Sequence, residues 1–326
     1  MERNKVLTVL VPVYNTEAYL DKCLGSLVVS SELMNLLEVL VVIDGSKDNS
    51  IEIARRYEMN YPDTFRVIDK ENGGHGSCCN VGVSEARGKY IHFLDSDDWF
   101  DDQFSSYLLR LQDESADVVF TKCMQERIYE NNSSLHYFHE IEYDKNYTLE
   151  SLQKVGISFS IHEVSYSVNH FRKNNVRFRE KVYYDDVLLS VAGFLGTETF
   201  AFYDMVLYHY LLGRPGQTMD PILLSKHFKY RCFSVYDCIS LYENTTAISN
   251  DISKNWILRN IGWHLERLYA SAWKQKRDIA KEEIAFLNEM FKDCIEKNKV
   301  KKNYLVAIAL YLPFTCGYFL LKRVLK

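Results

Sequence analysis

Four short apolar runs, each broken by a turn and followed by helical periodicity, constrain this chain before anything else does. Val6 to Val11 is almost continuously apolar, as a strand covered on both faces must be. Pro12-Val13-Tyr14-Asn15 ends it, and Tyr19, Leu20, Cys23, Leu24 and Leu27 then recur at helical spacing. Leu37 to Ile43 is the second run, stopped by Asp44-Gly45-Ser46, after which Asp48-Asn49-Ser50 can cap a helix from about Ile51 to Tyr61. Phe65 to Ile68 is a shorter third run. Glu71-Asn72-Gly73-Gly74-His75-Gly76 follows it and opens a helix through Asn80, Val81 and Ala86. The fourth run, Tyr90 to Leu94, ends abruptly in Asp95, Asp97 and Asp98. A helix from about Gln103 to Gln112 and a fifth strand, Asp117 to Thr121, come next. Strands alternating with helices at this pace predict βαβ units in a doubly wound, mostly parallel α/β sheet.

The alternation then weakens. Gln125 to Tyr147 has no clear period and is expected to be an inserted hairpin or loop. Leu149 to Ser160 is expected to be helical, and a helix begins at or just after Asp185-Asp186. Phe200 to Tyr210 is an aromatic strand that leads into Gly213-Arg214-Pro215-Gly216-Gln217-Thr218. Beyond Pro221 three stretches carry i, i+3, i+4 apolar spacing: Ile222 to Leu241, Ser253 to Trp273 and Ile279 to Ile295. These boundaries imply a sheet-bearing domain over 1–220 and a helical C-terminal region over 221–298. The last segment, 299–326, is basic and apolar. Tyr304 to Leu321 is 18 residues without a charge, flanked by Lys299, Lys301 and Lys302 and by Lys322, Arg323 and Lys326. That length is the lower limit for a span, and Pro313 and Gly317 interrupt it. Basic flanks on both sides favour an interfacial anchor on an anionic membrane surface, with a buried core helix as the alternative.

A net charge of −5 over 326 residues gives no reason to expect nucleic acid as a partner. The eight cysteines form no CxxC pair, and the N-terminus reads as no signal peptide, so a reducing cytoplasm is expected.

In an open α/β sheet, ligands sit just beyond the carboxyl ends of the strands. Asp95 and Asp97, one residue apart at such an end, offer hard oxygen ligands to a divalent cation that keeps other positions for water and phosphate. The plainer reading of Asp-Ser-Asp-Asp is an acidic turn that starts a helix. Likewise Asp44 and Asp185-Asp186 can be turn or cap residues. The glycines at 73 and 74 remove the Cβ obstacle to a close ligand.

Taken in order, these pieces are strand then Pro-Val-Tyr-Asn, strand then Asp-Gly-Ser-x-Asp, an Asn-Gly-Gly loop, Ala-Arg-Gly-x-Tyr-Ile, and Leu-Asp-Ser-Asp-Asp. Over Val6 to Phe100 this order resembles the inverting family 2 glycosyltransferases of the A-type (GT-A) nucleotide-sugar fold. A looser likeness, to members that build bacterial surface polysaccharides, extends to about Gln217. The resemblance implies transfer of a hexose from UDP-glucose, UDP-galactose or an N-acetylated relative to a lipid-linked or growing polysaccharide. It also implies Mn²⁺ or Mg²⁺ and a location on the inner face of the cell membrane. Pro12, Tyr14 and Asn15 would border the base, and Asp44 would accept the uracil N3–H. Asn72, Gly73 and Gly74 would lie near the ligand. Asp95 and Ser96 would contact ribose or metal-bound water, Asp97 would bind the metal, and Arg214 would pair with the diphosphate. Asp186 would be the catalytic base with Asp185 beside it.

Four departures stand out. Ile43 replaces a first Asp, Asp185 replaces Glu, and Gln217 or Thr218 replaces Ser. Val164-Ser165-Tyr166-Ser167-Val168-Asn169 stands in place of an aromatic-x-Lys segment. His209 is a candidate for the metal site or a packed strand residue. Two other classes compete. A nucleotidylyltransferase would need a basic, glycine-rich signature after the first strand, which Pro12 to Asn15 does not supply. Loss of Asp97 or Asp186 would favour a non-catalytic nucleotide-sugar-binding or assembly protein on the same fold, and both residues are present.

Overall fold

The computed structural model describes residues 5–153, 161–214, 217, 226–244, 251–273 and 277–291. The chain divides into two units, Met1–Val182 with Thr197–Asp220, and Tyr183–Gly196 with Pro221–Lys326. The first holds the sheet. The segment with Asp185 and Asp186, expected within a continuous 1–220 domain, belongs to the second.

In the first unit the strands and helices run β1 (Lys5–Val13), α1 (Glu17–Gly25), α2 (Ser31–Met34), β2 (Leu37–Asp44), α3 (Ser50–Asn60), β3 (Phe65–Lys70), α4 (His75–Glu85) and β4 (Gly88–Phe93). Then come β5 (Trp99–Phe100), α5 (Phe104–Gln112), β6 (Val118–Arg127), β7 (Asn132–His136), β8 (Lys145–Thr148), α6 (Leu149–Gln153), a 3₁₀ turn at Ile161–Glu163, β9 (Val164–Ser167), α7 (Val168–Lys173) and, after the excursion into the second unit, β10 (Thr199–Leu212). Among the described residues these strands form one sheet in the order β3-β2-β1-β4-β9-β6-β10-β5, with β7 on β6 and β8 on β10.

The order β3-β2-β1-β4 is parallel throughout, and β10 runs parallel to β6. This is the doubly wound, mostly parallel arrangement that the alternation predicts. β9 is the addition that the sequence does not announce. It lies antiparallel between β4 and β6, with Ile91 and Val118 both opposite Tyr166. The region 125–147 forms the β6–β7 hairpin and β8.

Alternation along β1 and β2 sends Val9, Val11, Val39 and Val41 into a core shared with Leu20, Cys23 and Leu24 of α1 and Phe104, Tyr107, Leu108 and Leu111 of α5. Leu10 points the other way, toward α4. A Cβ on Gly82 of that helix would come within 2.3 Å of the Leu10 side chain, so the missing side chain is what lets α4 lie this close to β1.

In the second unit α8 (Asp186–Ala192) buries Leu188, Leu189, Val191 and Ala192, and the helix Phe228–Asn244 buries Cys232, Val235, Cys238 and Ile239. The Cys238 Sγ reaches the Val187 carbonyl at 3.5 Å and Ser190 Oγ lies 3.5 Å from His264 Nε2. Helices Asp251–Trp273 and Arg277–Met290 complete the unit, with Ile257, Ile261, Leu265 and Leu287 buried. Among the described residues no helix is long and apolar enough to cross a membrane. The apolar tail at 304–321 lies outside the described residues.

Candidate active site

The carboxyl ends of β1 and β2 are tied together by side chain to main chain bonds. Asn15 takes a left-handed backbone (φ 53°), a conformation that Asn tolerates better than most residues. From there its N–H donates to Ser46 Oγ at 3.2 Å and its Oδ1 accepts the Lys47 N–H at 2.8 Å. Ser46 Oγ in turn donates to the Val13 carbonyl at 3.3 Å. Pro12 is buried within β1, whereas Tyr14 is half exposed beside these loops.

Asp44, the last residue of β2, is 3% exposed and holds the glycine loop. Its Oδ1 accepts the Gly73 N–H at 2.8 Å and the Lys70 ammonium at 2.7 Å, while Oδ2 accepts the Gly74 N–H at 2.8 Å. The Asn72 amide donates to the Asp44 carbonyl at 2.9 Å. Gly74 has φ 83°, and a Cβ there would lie 3.1 Å from the Lys181 backbone nitrogen. The loop thus needs glycine at 74 on two grounds, conformation and space. A carboxylate offers about four lone-pair positions, and three are filled here.

The acidic turn after β4 is anchored from three sides. Ser96 is buried, and its Oγ accepts the Thr16 hydroxyl at 2.9 Å. Asp98 is 1% exposed; its Oδ2 accepts the Tyr208 hydroxyl at 2.6 Å and its Oδ1 the Leu211 N–H at 2.8 Å. The Tyr208 oxygen itself accepts the Asp95 N–H at 3.1 Å. Asp97 is paired with the Arg214 guanidinium. Burial, and then the Asp95 and Asp97 charges, push the Asp98 carboxyl well above the usual carboxylate range. Burial and the Asp95 charge raise Asp97 too, against the pull of Arg214. Burial also works against the Asp95 charge, but the nearby His75 side chain, with the charges of His162 and Arg214, outweighs it and holds that carboxyl below its ordinary value. His75 Nε2 lies 3.6 Å from Asp95 Oδ1.

Two histidines stand near the acidic turn. His209 uses both ring nitrogens on carboxylates, Asp101 at 2.9 Å and Glu126 at 2.8 Å, and stacks on Trp99 with ring centroids 5.1 Å apart. It is a strap between β10, β6 and the segment after the acidic turn. His162, in the 3₁₀ turn before β9, drew no attention in the sequence. One of its ring nitrogens falls within 4.8 Å of carboxylate oxygens of both Asp95 and Asp98. Burial lowers its pKa despite the charges of Asp95, Glu163 and Asp97.

In the second unit, Asp185 stands at the N-cap of α8 without making a side-chain capping bond, and Asp186 is the first residue of that helix. Tyr184 just before them has φ 70°, an uncommon conformation for an aromatic residue.

A parallel sheet whose strand ends carry a clamped glycine loop and a buried acidic turn defines the class of α/β proteins that bind ligands past the carboxyl edge. The chain belongs to glycosyl transferase family 2, whose signature covers residues 8–174. Over 113 residues it is 41% identical to the putative glycosyltransferase EpsH of Bacillus subtilis, covering 35% of this chain and 32% of that protein. It is 29% identical over 214 residues to the glycosyltransferase GlyA of Streptococcus pneumoniae, covering 62% of this chain and 29% of that one. The matched region thus spans about a third of the length of these curated relatives. The crystal structure of S. aureus TarS 1-349 in complex with UDP-GlcNAc superposes with a TM-score of 0.70 at 19% identity, covering 98% of this chain and 90% of that one. The fold is therefore GT-A-like.

Proposed function

We propose that this protein is an inverting transferase that moves a hexose from a UDP-sugar to a hydroxyl of a lipid-linked or growing surface polysaccharide. The observation that carries the reading is the buried Asp95–Asp98 turn with Arg214 on Asp97, in a chain of this family. Over 116 residues the chain is 32% identical to part of the minor teichoic acid biosynthesis protein GgaB of Bacillus subtilis, which supports a surface-polymer acceptor. TarS, of similar fold, is a protein seen with UDP-GlcNAc, which supports a UDP-sugar donor.

In this reading Tyr14 and the loops tied by Asn15 border the base, and the one lone-pair position left on Asp44 accepts the uracil N3–H. The backbone at Asn72 to Gly74 lets the donor approach closely. Asp95 and Asp97 would hold Mn²⁺ or Mg²⁺, for which a buried and a half-buried carboxylate close together are a fitting donor set. A cation held there would supply positive charge that offsets the diphosphate leaving group. Arg214 passes from Asp97 to a diphosphate oxygen, where a guanidinium can pair bidentately. Asp186 takes the proton of the acceptor hydroxyl as its oxygen bonds to the anomeric carbon. The bond from that carbon to the β-phosphate oxygen breaks, and UDP leaves with the electron pair. The tail at 299–326 is proposed to rest on the anionic inner face of the cell membrane.

The test is UDP release across a panel of UDP-sugars, with and without Mn²⁺ or Mg²⁺, for the full chain and for Asp97→Asn. The substitution removes one ligand charge without opening a cavity, so metal-dependent release should fall by at least tenfold while the fold survives. Equal release by Asp97→Asn, with the same metal dependence, refutes the role given to the acidic turn.

A further inference from the structure

We propose that His162 supplies a nitrogen ligand to the divalent cation of the acidic turn, and that the site therefore favours a first-row transition ion such as Mn²⁺ over Mg²⁺. The inference rests on the cation-binding role proposed above for Asp95 and adds Asp98 and His162 as the groups gathered with it.

The first observation is geometric. Ligand atoms about 2.1 Å from one octahedral cation lie roughly 3 to 4.2 Å from one another. A ring nitrogen of His162 and oxygens of Asp95 and Asp98 already fall within 4.8 Å of each other, so a common ion needs only small adjustments. The Asp98 oxygens that accept Tyr208 and Leu211 each keep a second lone pair.

The second observation is independent of the carboxylates. His162 is 9% exposed, and its Nδ1 is buried with no hydrogen-bond partner among the described residues. A buried polar nitrogen left unbonded is costly, because it has lost its bond to water and gained none in return. Its ring is held by Tyr208 and Tyr210, with centroids 4.8 and 4.1 Å away, so it is fixed in place rather than loosely packed.

The third is exclusion. His209, the histidine to which the sequence pointed, has both nitrogens on Asp101 and Glu126. It can steady the turn but has no lone pair to spare for a cation while those bonds stand. An imidazole in the donor set shifts preference toward first-row divalent ions, because Mg²⁺ prefers an all-oxygen octahedron and keeps its waters.

The experiment uses the full chain with Mn²⁺ alone, without any sugar nucleotide. Electron paramagnetic resonance gives the Mn²⁺ affinity, and spin-echo modulation detects a directly bound ¹⁴N, with ¹⁵N-histidine labelling to identify it. The expected result is a histidine nitrogen coupling that persists in His209→Gln and His75→Gln. It should vanish in His162→Gln, with Mn²⁺ affinity reduced at least about tenfold and Mg²⁺ affinity changed less. Circular dichroism confirms that each variant is folded, and His162→Asn serves if His162→Gln is not. A coupling that survives loss of His162, or Mn²⁺ binding without nitrogen coupling in the unaltered chain, overturns the proposal. Absence of any Mn²⁺ binding overturns it as well. UDP release measured separately distinguishes the two readings: turnover without nitrogen coupling leaves the transferase standing, and nitrogen coupling without turnover leaves only the metal site.

Discussion

Replacing Tyr208 by Phe removes one oxygen atom from the centre of the sheet and should be felt well beyond its size. The hydroxyl is fully buried, donates to Asp98 Oδ2 at 2.6 Å and accepts the Asp95 N–H at 3.1 Å. The ring contacts with Phe100, His92 and His162 do not depend on it, so packing is conserved. What is lost is a buried hydrogen bond to a carboxyl group, and a buried N–H is left unpaired, at about 1 to 3 kcal/mol for the unsatisfied group. Asp98 can soften the loss by binding a proton, since burial and its neighbours already push its carboxyl upward. A destabilisation of about 2 to 3 kcal/mol is therefore expected for the first unit. With a urea dependence of about 3 kcal/mol per molar, the midpoint should fall by roughly 0.7 to 1 M. Urea unfolding followed by the fluorescence of Trp99, just after the turn, is the assay. A midpoint shift under about 0.2 M would refute the reasoning, because it would mean that the hydroxyl does not anchor the acidic turn. UDP release should fall along with stability, and Tyr208→Phe with intact stability and lost release would instead place the oxygen in the chemistry.

Asp186→Asn should lower turnover by about 10² to 10⁴-fold, the usual contribution of a general base, with UDP-sugar affinity nearly unchanged; loss of donor binding in equilibrium titration would move Asp186 out of the catalytic role. His264 sits in the second unit with its pKa lowered to about 4 by burial and then by the Arg267 and Arg231 charges. Its unfolded value lies near 6.5, so the unfolded chain binds the extra proton. The stability linked to His264 is full above about pH 6.5 and is lost as pH falls toward 4, by roughly 3 kcal/mol at most. Thermal melts of the helical unit between pH 7 and 4 should show this slope, and His264→Gln should flatten it. Deleting Tyr304 to Lys326 should move the protein from the membrane fraction to the soluble one; a full-length protein that ignores anionic vesicles would favour the core-helix reading of the tail.

The sequence announced the parallel part of the sheet because β1, β2 and β4 are apolar runs with sharp polar stops. It hid β9. That strand is Val164-Ser165-Tyr166-Ser167, four residues with a serine at its centre. A polar residue inside a buried strand reads as loop until its partners are known. Here the Ser165 hydroxyl lies 2.9 Å from His92 Nδ1 and accepts the Tyr107 hydroxyl at 2.6 Å, contacts from 73 and 58 residues away. The same distance in sequence concealed the clamp of Asp44 on Gly73 and Gly74. Each piece was visible as a turn signal, but nothing local says that a carboxylate will close on the loop 29 residues later. Asp98 could not be told apart from Asp95 and Asp97 by spacing alone. What separates it is Tyr208 and Leu211, again more than a hundred residues on. His162 lacked any signal, since a single histidine before a short strand has no spacing to read.

β10 does not run in step with its neighbour. The six steps from Phe202 to Tyr208 lie opposite only three steps of β6, from Phe120 to Cys123, with irregularities on either side of Val206. Side chains along a strand alternate between faces, so an odd number of added or removed residues turns everything beyond it over. These bulges decide that Tyr208 meets Asp98 while His209 meets Asp101 and Glu126. A substitution at the exposed Asp204 disturbs one ion pair with Lys122. Removing a single residue from the same stretch would exchange the faces of Tyr208 and His209, and the acidic turn would lose its anchor with every residue type still present. In this part of the chain, information is stored in length more than in composition.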